Sequence, residues 1–301
     1  MGAGRLLRGH ELSEPTRPLP VHLLGAALLN ATSSKLICSS QEGVSRTWFK
    51  SAGHAARMGH IGLLQEQERS SVPYQFSSTD FNFAAASGCL DVVRWLHDRK
   101  VPATVDALDL AAANGHLDVV RWLHANRPEG ASKDAVDRAA ARGQLDVIAW
   151  LLEHRTEGFT HRAMDAAAAA GHLDVVRLLH EHDHPAPGPG PGARAPRGRC
   201  TTDAFDGAAA GGHVDVMEFL HARRSEGPSA AALGLAASAG QLEAVRWLVR
   251  HRRRDCGSPR AALTRAVARG QVAVAEWLAE NCPELQPRLP LARQQLLRRR
   301  R

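Results

Sequence analysis

The chain has 301 residues, 44% of them hydrophobic, and carries 38 basic against 31 acidic side chains for a formal charge of +7. Six arginines and no acid lie between Leu285 and Arg301, so the body ahead of this tail is nearly neutral and lacks the broad basic field of a nucleic-acid binder. No run of 18 apolar residues exists to span a membrane.

Five cysteines, Cys38, Cys89, Cys200, Cys256 and Cys282, are scattered and never spaced C-x-x-C. That pattern predicts free thiols in a reducing, intracellular and cytoplasmic setting rather than a disulfide or zinc framework.

In chain order, residues 1–18 mix Gly, Pro, Arg and Glu without periodicity and are expected to be disordered. Residues 48–284 form an array, and residues 19–47 carry an apolar stretch suited to a helical cap over its first unit. The clearest unit runs Gly115-His-Leu-Asp-Val-Val-Arg-Trp-Leu-His124 and returns at Gly171–His180. Weaker copies start at Gly59, Gly88, Gly143, Gly212, Gly240 and Gly270, with gaps of 29, 27, 28, 28, 41, 28 and 30 residues. Such a period marks a stacked solenoid, in which each unit needs only its neighbours. The predicted fold is all-α, with about eight helix-turn-helix repeats joined by short loops.

Within a unit, a Ser or Thr eleven residues before the glycine (Ser77, Thr104, Ser132, Thr160, Thr201, Ser229) reads as an N-cap. A short helix comes next, Asp106–Ala113 in the clearest unit, with Leu108, Ala111 and Ala112 on one face. The glycine stops it, because only glycine takes the left-handed backbone cheaply. A second helix begins at once, its apolar band Leu117, Val120, Trp122 and Leu123 wide enough for burial on two sides, so that Trp122→Ala is expected to cost about 3–5 kcal/mol. Acids such as Asp118 in its first turn and histidines such as His124 in its last suit the helix dipole. Glu-Gly pairs at 129–130, 157–158 and 226–227 read as turns.

The long gap is filled by a Pro/Gly/Arg-rich insert, 183–200, expected to be a disordered loop. His180, His182 and His184 beside it read as a helix end rather than a metal site. Residues 285–301 are a basic tail, whose Arg298–Arg301 cluster reads first as a frayed terminus rich in arginine through genome composition, with a nuclear-import signal or an anion-binding tail as the alternatives.

These residues resemble the ankyrin-repeat family. Leu108, Ala111, Ala112, Gly115, His116, Val119, Val120, Trp122 and Leu123 match its Leu-x-x-Ala-Ala-x-x-Gly-His and Val-Val-x-Leu-Leu pattern, over about three-quarters of the chain. The Thr-Pro-Leu-His opening is absent, with Ala107, Leu108 and Asp109 in its place, and the period is about five residues short of 33. The variant is similar to the short-period arrays numerous in oomycetes and other protists. The shortfall implies tight loops where the family has projecting fingers. The resemblance implies non-enzymatic protein–protein binding through a concave face, by a monomer without cofactor, metal or small-molecule substrate.

Residues 19–48 are also faintly similar to an F-box, through Leu19, Pro20, Leu23, Val44, Arg46 and Trp48. That likeness implies an alternative, a substrate adaptor of a cullin-type ubiquitin ligase.

No catalytic set stands outside the repeat register. The candidate partner-binding residues are Asp109, Asp137, Asp165 and Asp206, each six residues before its glycine and off the apolar face. Stacking would align them as a row, which is either a solvated face or an acidic groove for a basic protein partner.

Overall fold

The computed structural model describes residues 52–69, 75–183, 200–252, 254–282 and 285. The expectations for 1–18 and 19–47, for the F-box-like match, for the interior of the insert and for all of the basic tail beyond Leu285 fall outside these residues.

Sixteen helices form eight antiparallel pairs. The first helices are α1 (Ala52–Arg57), α3 (Ser78–Ala86), α5 (Asp106–Ala113), α7 (Asp134–Ala141), α9 (His161–Ala170), α11 (Thr202–Gly211), α13 (Ala232–Ala239) and α15 (Pro259–Arg269). Each is followed by its partner: α2 (Ile61–Arg69), α4 (Leu90–Asp98), α6 (Leu117–Asn126), α8 (Leu145–His154), α10 (Leu173–Asp183), α12 (Val214–Arg223), α14 (Leu242–His251) and α16 (Val272–Asn281). The connectors contain no strand among the described residues, which fits the short period.

The caps follow the sequence. Thr160 and Thr201 accept the backbone N–H two residues on, at 3.2 and 3.1 Å, and Thr104, Ser132 and Ser229 do the same. Gly115 stands at φ 81° after α5, and the His116 N–H returns to the Ala111 carbonyl at 3.0 Å. The chain is thereby turned into α6 within two residues.

One continuous apolar core runs the length of the stack. The helical trio Leu108, Ala111 and Ala112 is buried, as are Val136, Ala139 and Ala140, then Met164, Ala167 and Ala168. Alanine here sets the spacing, since a methyl lets neighbouring backbones close up. A Cβ added to Gly207 would stand 2.6 Å from the Cβ of Ala169, so α9 and α11 meet almost backbone to backbone. Second helices carry Val, Leu and Trp and meet their counterparts more sparsely. A row packed tightly on one side and loosely on the other must curve, and the first helices line its inner wall.

The tryptophan column divides. Trp95 and Trp247 are buried, at 8% and 7% exposure, but Trp122, Trp150 and Trp277 are half-buried against the core edge. Full burial falls instead to Val119, Val120 and Leu123. The indole at 122 meets the edge of His97 from the previous repeat, centroids 5.1 Å apart and planes at 87°. His124 with Trp150, and His221 with Trp247, repeat the arrangement. The last-turn histidines therefore serve the joint between repeats as well as their own helix dipole.

Two residues assigned to the insert belong to the stack. Asp183 ends α10 and is buried, and Cys200 is buried where the chain resumes. The thiol expectation needs correction at Cys89, which is disulfide-bonded, while Cys200, Cys256 and Cys282 are buried and in no disulfide. Burial raises the Cys200 thiol and pushes Cys256 up to about 11, so neither is a ready nucleophile.

Candidate functional site

Each first helix has three kinds of position. The core trio points to the second helix. The residue six before the glycine points to the next repeat. The residues five and one before the glycine lie on the inner face, where Ser87, Asn114 and Arg142 also reach back to backbone carbonyls of the preceding repeat at 2.8, 2.6 and 3.4 Å.

The second kind accounts for the aspartate row. Asp109 is 2% exposed; its carboxylate accepts the Ser132 backbone N–H at 2.9 Å and the Ser132 hydroxyl. Asp137 receives Thr160 in the same way, with N–H at 2.8 Å, and Asp206 receives Ser229 at 2.9 Å. Asp165, half-buried, takes the Thr201 N–H at 2.8 Å and hydroxyl at 2.9 Å across the insert. Asn82 plays the part earlier, bonding Thr104 through both of its amide atoms.

This corrects the expectation of an acidic groove. Both oxygens of each carboxylate are committed to the next repeat, so the row is a set of staples with no free edge to offer a basic partner. Burial nevertheless raises the Asp109 and Asp165 pKa values, against the lowering effect of those same bonds. At the seventh repeat the position is Gly234, and the joint is closed instead by the Leu233 N–H to the Cys256 carbonyl at 3.0 Å. The Ser/Thr column thus caps its own helix and tethers the previous one, and only the first role is visible in the sequence.

A second ladder explains the Gly-His pairs. The side chain after each glycine packs over the glycine of the preceding repeat: His116 on Gly88, Gln144 on Gly115, His172 on Gly143, His213 on Gly171. A Cβ on Gly143 would lie 2.7 Å from the His172 ring. His116 Nε2 meets the Ala86 carbonyl at 3.0 Å, and Gln271 Nε2 donates to the equivalent Ser238 carbonyl at 3.5 Å. Glutamine replaces histidine here because either presents a flat N–H-bearing group to that carbonyl. Burial depresses the His116 pKa, which suits a neutral ring.

A third ladder uses the connectors. Arg127 forks onto Glu129, at 3.2 and 2.7 Å, and approaches His97 of the repeat before; Arg155 does the same with Glu157 and His124. In the next repeat this column holds Asp183. Arg224 reaches back to it at 3.0 Å, and both side chains are fully buried. The joint that carries the insert is therefore held from both sides, by Asp165–Thr201 and by Asp183–Arg224.

The centre line of the inner wall reads Phe83, Leu110, Arg138, Ala166, Gly207, Leu235 and Arg265 from α3 to α15, with Phe83, Arg138 and Arg265 exposed and the other four half-buried. Met58 and Phe83 are 40% and 48% exposed, with Arg57 laid over the Phe83 ring. Among the described residues no three His, Cys, Asp or Glu gather as a metal site would need, and no helix is long and apolar enough to cross a membrane.

Two family models match, one described as ankyrin repeats (many copies) over residues 82–124 and 164–221, the other as ankyrin repeats (3 copies) over 108–187 and 205–288. The second match spans more than half the chain. No curated protein matches. Among solved structures, the chain is similar to the human ASB11 ankyrin repeat domain, with 20% identity and a TM-score of 0.47 over 66% of this chain and 95% of that one.

Proposed function

This chain belongs to the ankyrin-repeat family, a non-catalytic one, and we propose that it is a scaffold that holds a partner protein against the inner wall of its first helices. One observation carries the reading. The core, staple and glycine columns are repeated with few changes, and they are used up in holding repeat to repeat. The two columns that face the wall differ in almost every repeat: Phe83, Leu110, Arg138, Ala166, Gly207, Leu235 and Arg265 in one, Ser87, Asn114, Arg142, Ala170, Gly211, Ala239 and Arg269 in the other. A framework with a varied surface is how solenoids separate stability from recognition.

The adaptor alternative rests on residues 19–48, which lie outside the described residues, and neither it nor a protist-type branch draws support from the family matches.

The test is a pair of surface variants. Ala166→Arg with Ala170→Arg fills the wall, and partner capture should fall about tenfold or more with the melting temperature unchanged. If capture survives that change and is lost instead on reversing Asp118 and Asp146 on the second helices, the wall is not the binding face.

A further inference from the structure

With the aspartate row buried in staples, the charge of the inner wall changes sign. Arg138 on α7, Arg142 just past its end, Arg162 on α9, and Arg260, Arg265 and Arg269 on α15 are exposed, Arg142 with its guanidinium on the Ala113 carbonyl and the Asn114 amide oxygen. Against them stand Asp106 and Asp203, exposed, and Asp134, half-buried and paired with Arg138 at 2.8 Å. That surface pair is weak, and Arg260, Arg265 and Arg269 have no acidic partner among the described residues.

The arginines are not spread evenly. Arg138 and Arg142, one turn apart, form one bank, and Arg265 and Arg269 form another. Between them the two wall columns are Ala166, Ala170, Gly207, Gly211, Leu235 and Ala239, low and without charge, with Arg162 and Asp203 beside them at the starts of α9 and α11. Four repeat steps separate the banks, or about 30–40 Å at ordinary helix spacings of roughly 8–10 Å.

Resting on the inner-wall reading above, we propose that the occupant is a segment of a partner protein that is acidic at both ends and small or apolar between them. It lies across the floor from the Arg138/Arg142 bank to the Arg265/Arg269 bank. An extended segment of about 10–12 residues covers that span at roughly 3.3 Å per residue.

The chain has no such segment of its own. Outside the described residues its only acids are Glu11, Glu14, Glu42 and Glu284, set among arginines and lysines. A nucleic-acid strand fits less well. It carries a phosphate about every 3.4 Å, so its middle would cross the uncharged floor unpaired, and Asp106, Asp134 and Asp203 border its path.

Fluorescence anisotropy on the full chain tests this with a labelled peptide whose core, Ala-Leu-Ala-Ala-Leu-Ala, is flanked on each side by a run of four glutamates. Two counterparts carry glutamine runs or lysine runs instead. The glutamate-ended peptide should bind at least about tenfold tighter than the glutamine-ended one at low salt, and each bank reversal, R138E/R142E or R265E/R269E, should weaken it by about tenfold. The protein reversed at both banks should prefer the lysine-ended peptide, a swap that a merely unfolded variant cannot show. Equal binding of the glutamate- and glutamine-ended peptides overturns the proposal, as does insensitivity to both reversals. So does a single-stranded oligonucleotide that displaces the peptide from these arginines and binds more tightly. If the reversals change nothing while Ala166→Arg/Ala170→Arg still abolishes partner capture, the acidic occupant falls and the inner wall stands. If that wall-filling variant is also silent, both fall.

Discussion

Asp137 and Thr160 are 23 residues apart and in different repeats, yet the aspartate accepts both the backbone N–H and the hydroxyl of the threonine, the former at 2.8 Å. The same hydroxyl caps α9 by accepting the Arg162 N–H at 3.2 Å. One side chain thus starts a helix and fixes it to its neighbour. Asp137→Ala strands both donors and should cost about 2–3 kcal/mol, the range for bonds to a buried charged acceptor. Asp137→Asn should cost less, because Asn82 already makes this contact with Thr104. Urea melts of the two variants check the order, and equal losses would reduce the carboxylate to a space-filler.

The raised carboxylates give a pH signature. Burial places the folded-state pKa of Asp109 and Asp165 above the unfolded value. Between the two values the folded protein binds more protons than the unfolded one, so these groups make the fold more stable as pH falls through that window and less stable as it rises. The Asp109→Asn/Asp165→Asn variant should show a flatter stability–pH curve than the parent across the acidic carboxylate range. Parallel curves would contradict the assignment.

Glycine columns differ in what a methyl would meet. At Gly257, φ 106°, an added Cβ would run into the backbone carbonyl of Ala230, its carbon 3.0 Å away, whereas at Gly158, φ 72°, nothing lies within 4 Å. Gly158→Ala should therefore cost only the backbone strain of about 1–2 kcal/mol, and Gly257→Ala a further 1–3 kcal/mol or so from overpacking. Thermal unfolding of both variants measures the difference.

Buried charge should make the insert's joint the most sensitive to loss of an arginine. Arg224 and Asp183 are 2% and 0% exposed at their side chains, against 18% and 29% for Arg155 and Glu157. Arg224→Ala leaves a buried carboxylate without that partner and should cost about 3–5 kcal/mol; Arg155→Ala should cost about 1 kcal/mol. Similarly, the half-buried Trp122 should lose about 2–3 kcal/mol on truncation to alanine, no more than the fully buried Leu123. Chemical denaturation of the four alanine variants, at Arg224, Arg155, Trp122 and Leu123, measures these losses.

Periodicity makes the framework legible. The glycines, the Leu108–Ala111–Ala112 trio and the Ser/Thr caps each follow from local helix geometry, and local geometry is what a sequence spells out. The aspartate row shows where this stops. Its position off the apolar face is true of Asp109 in an isolated helix, but whether that side meets water or Ser132 depends on how far each repeat turns relative to the last. The inner wall escapes for a related reason. Recurrence draws attention to what is shared, while Phe83, Arg138 and Arg265 stand where the repeats disagree. The halved burial of Trp122 reflects the same turn, which opens the outer edge of the stack.

The most direct measurement places a photo-crosslinking residue on each side of the curve, at Ala170 on the inner wall and at Ala149 on the outer helix row, both exposed. With the captured partner present, Ala170 should give the adduct and Ala149 should not. An adduct from Ala149 alone would contradict an array whose inner wall is its binding face.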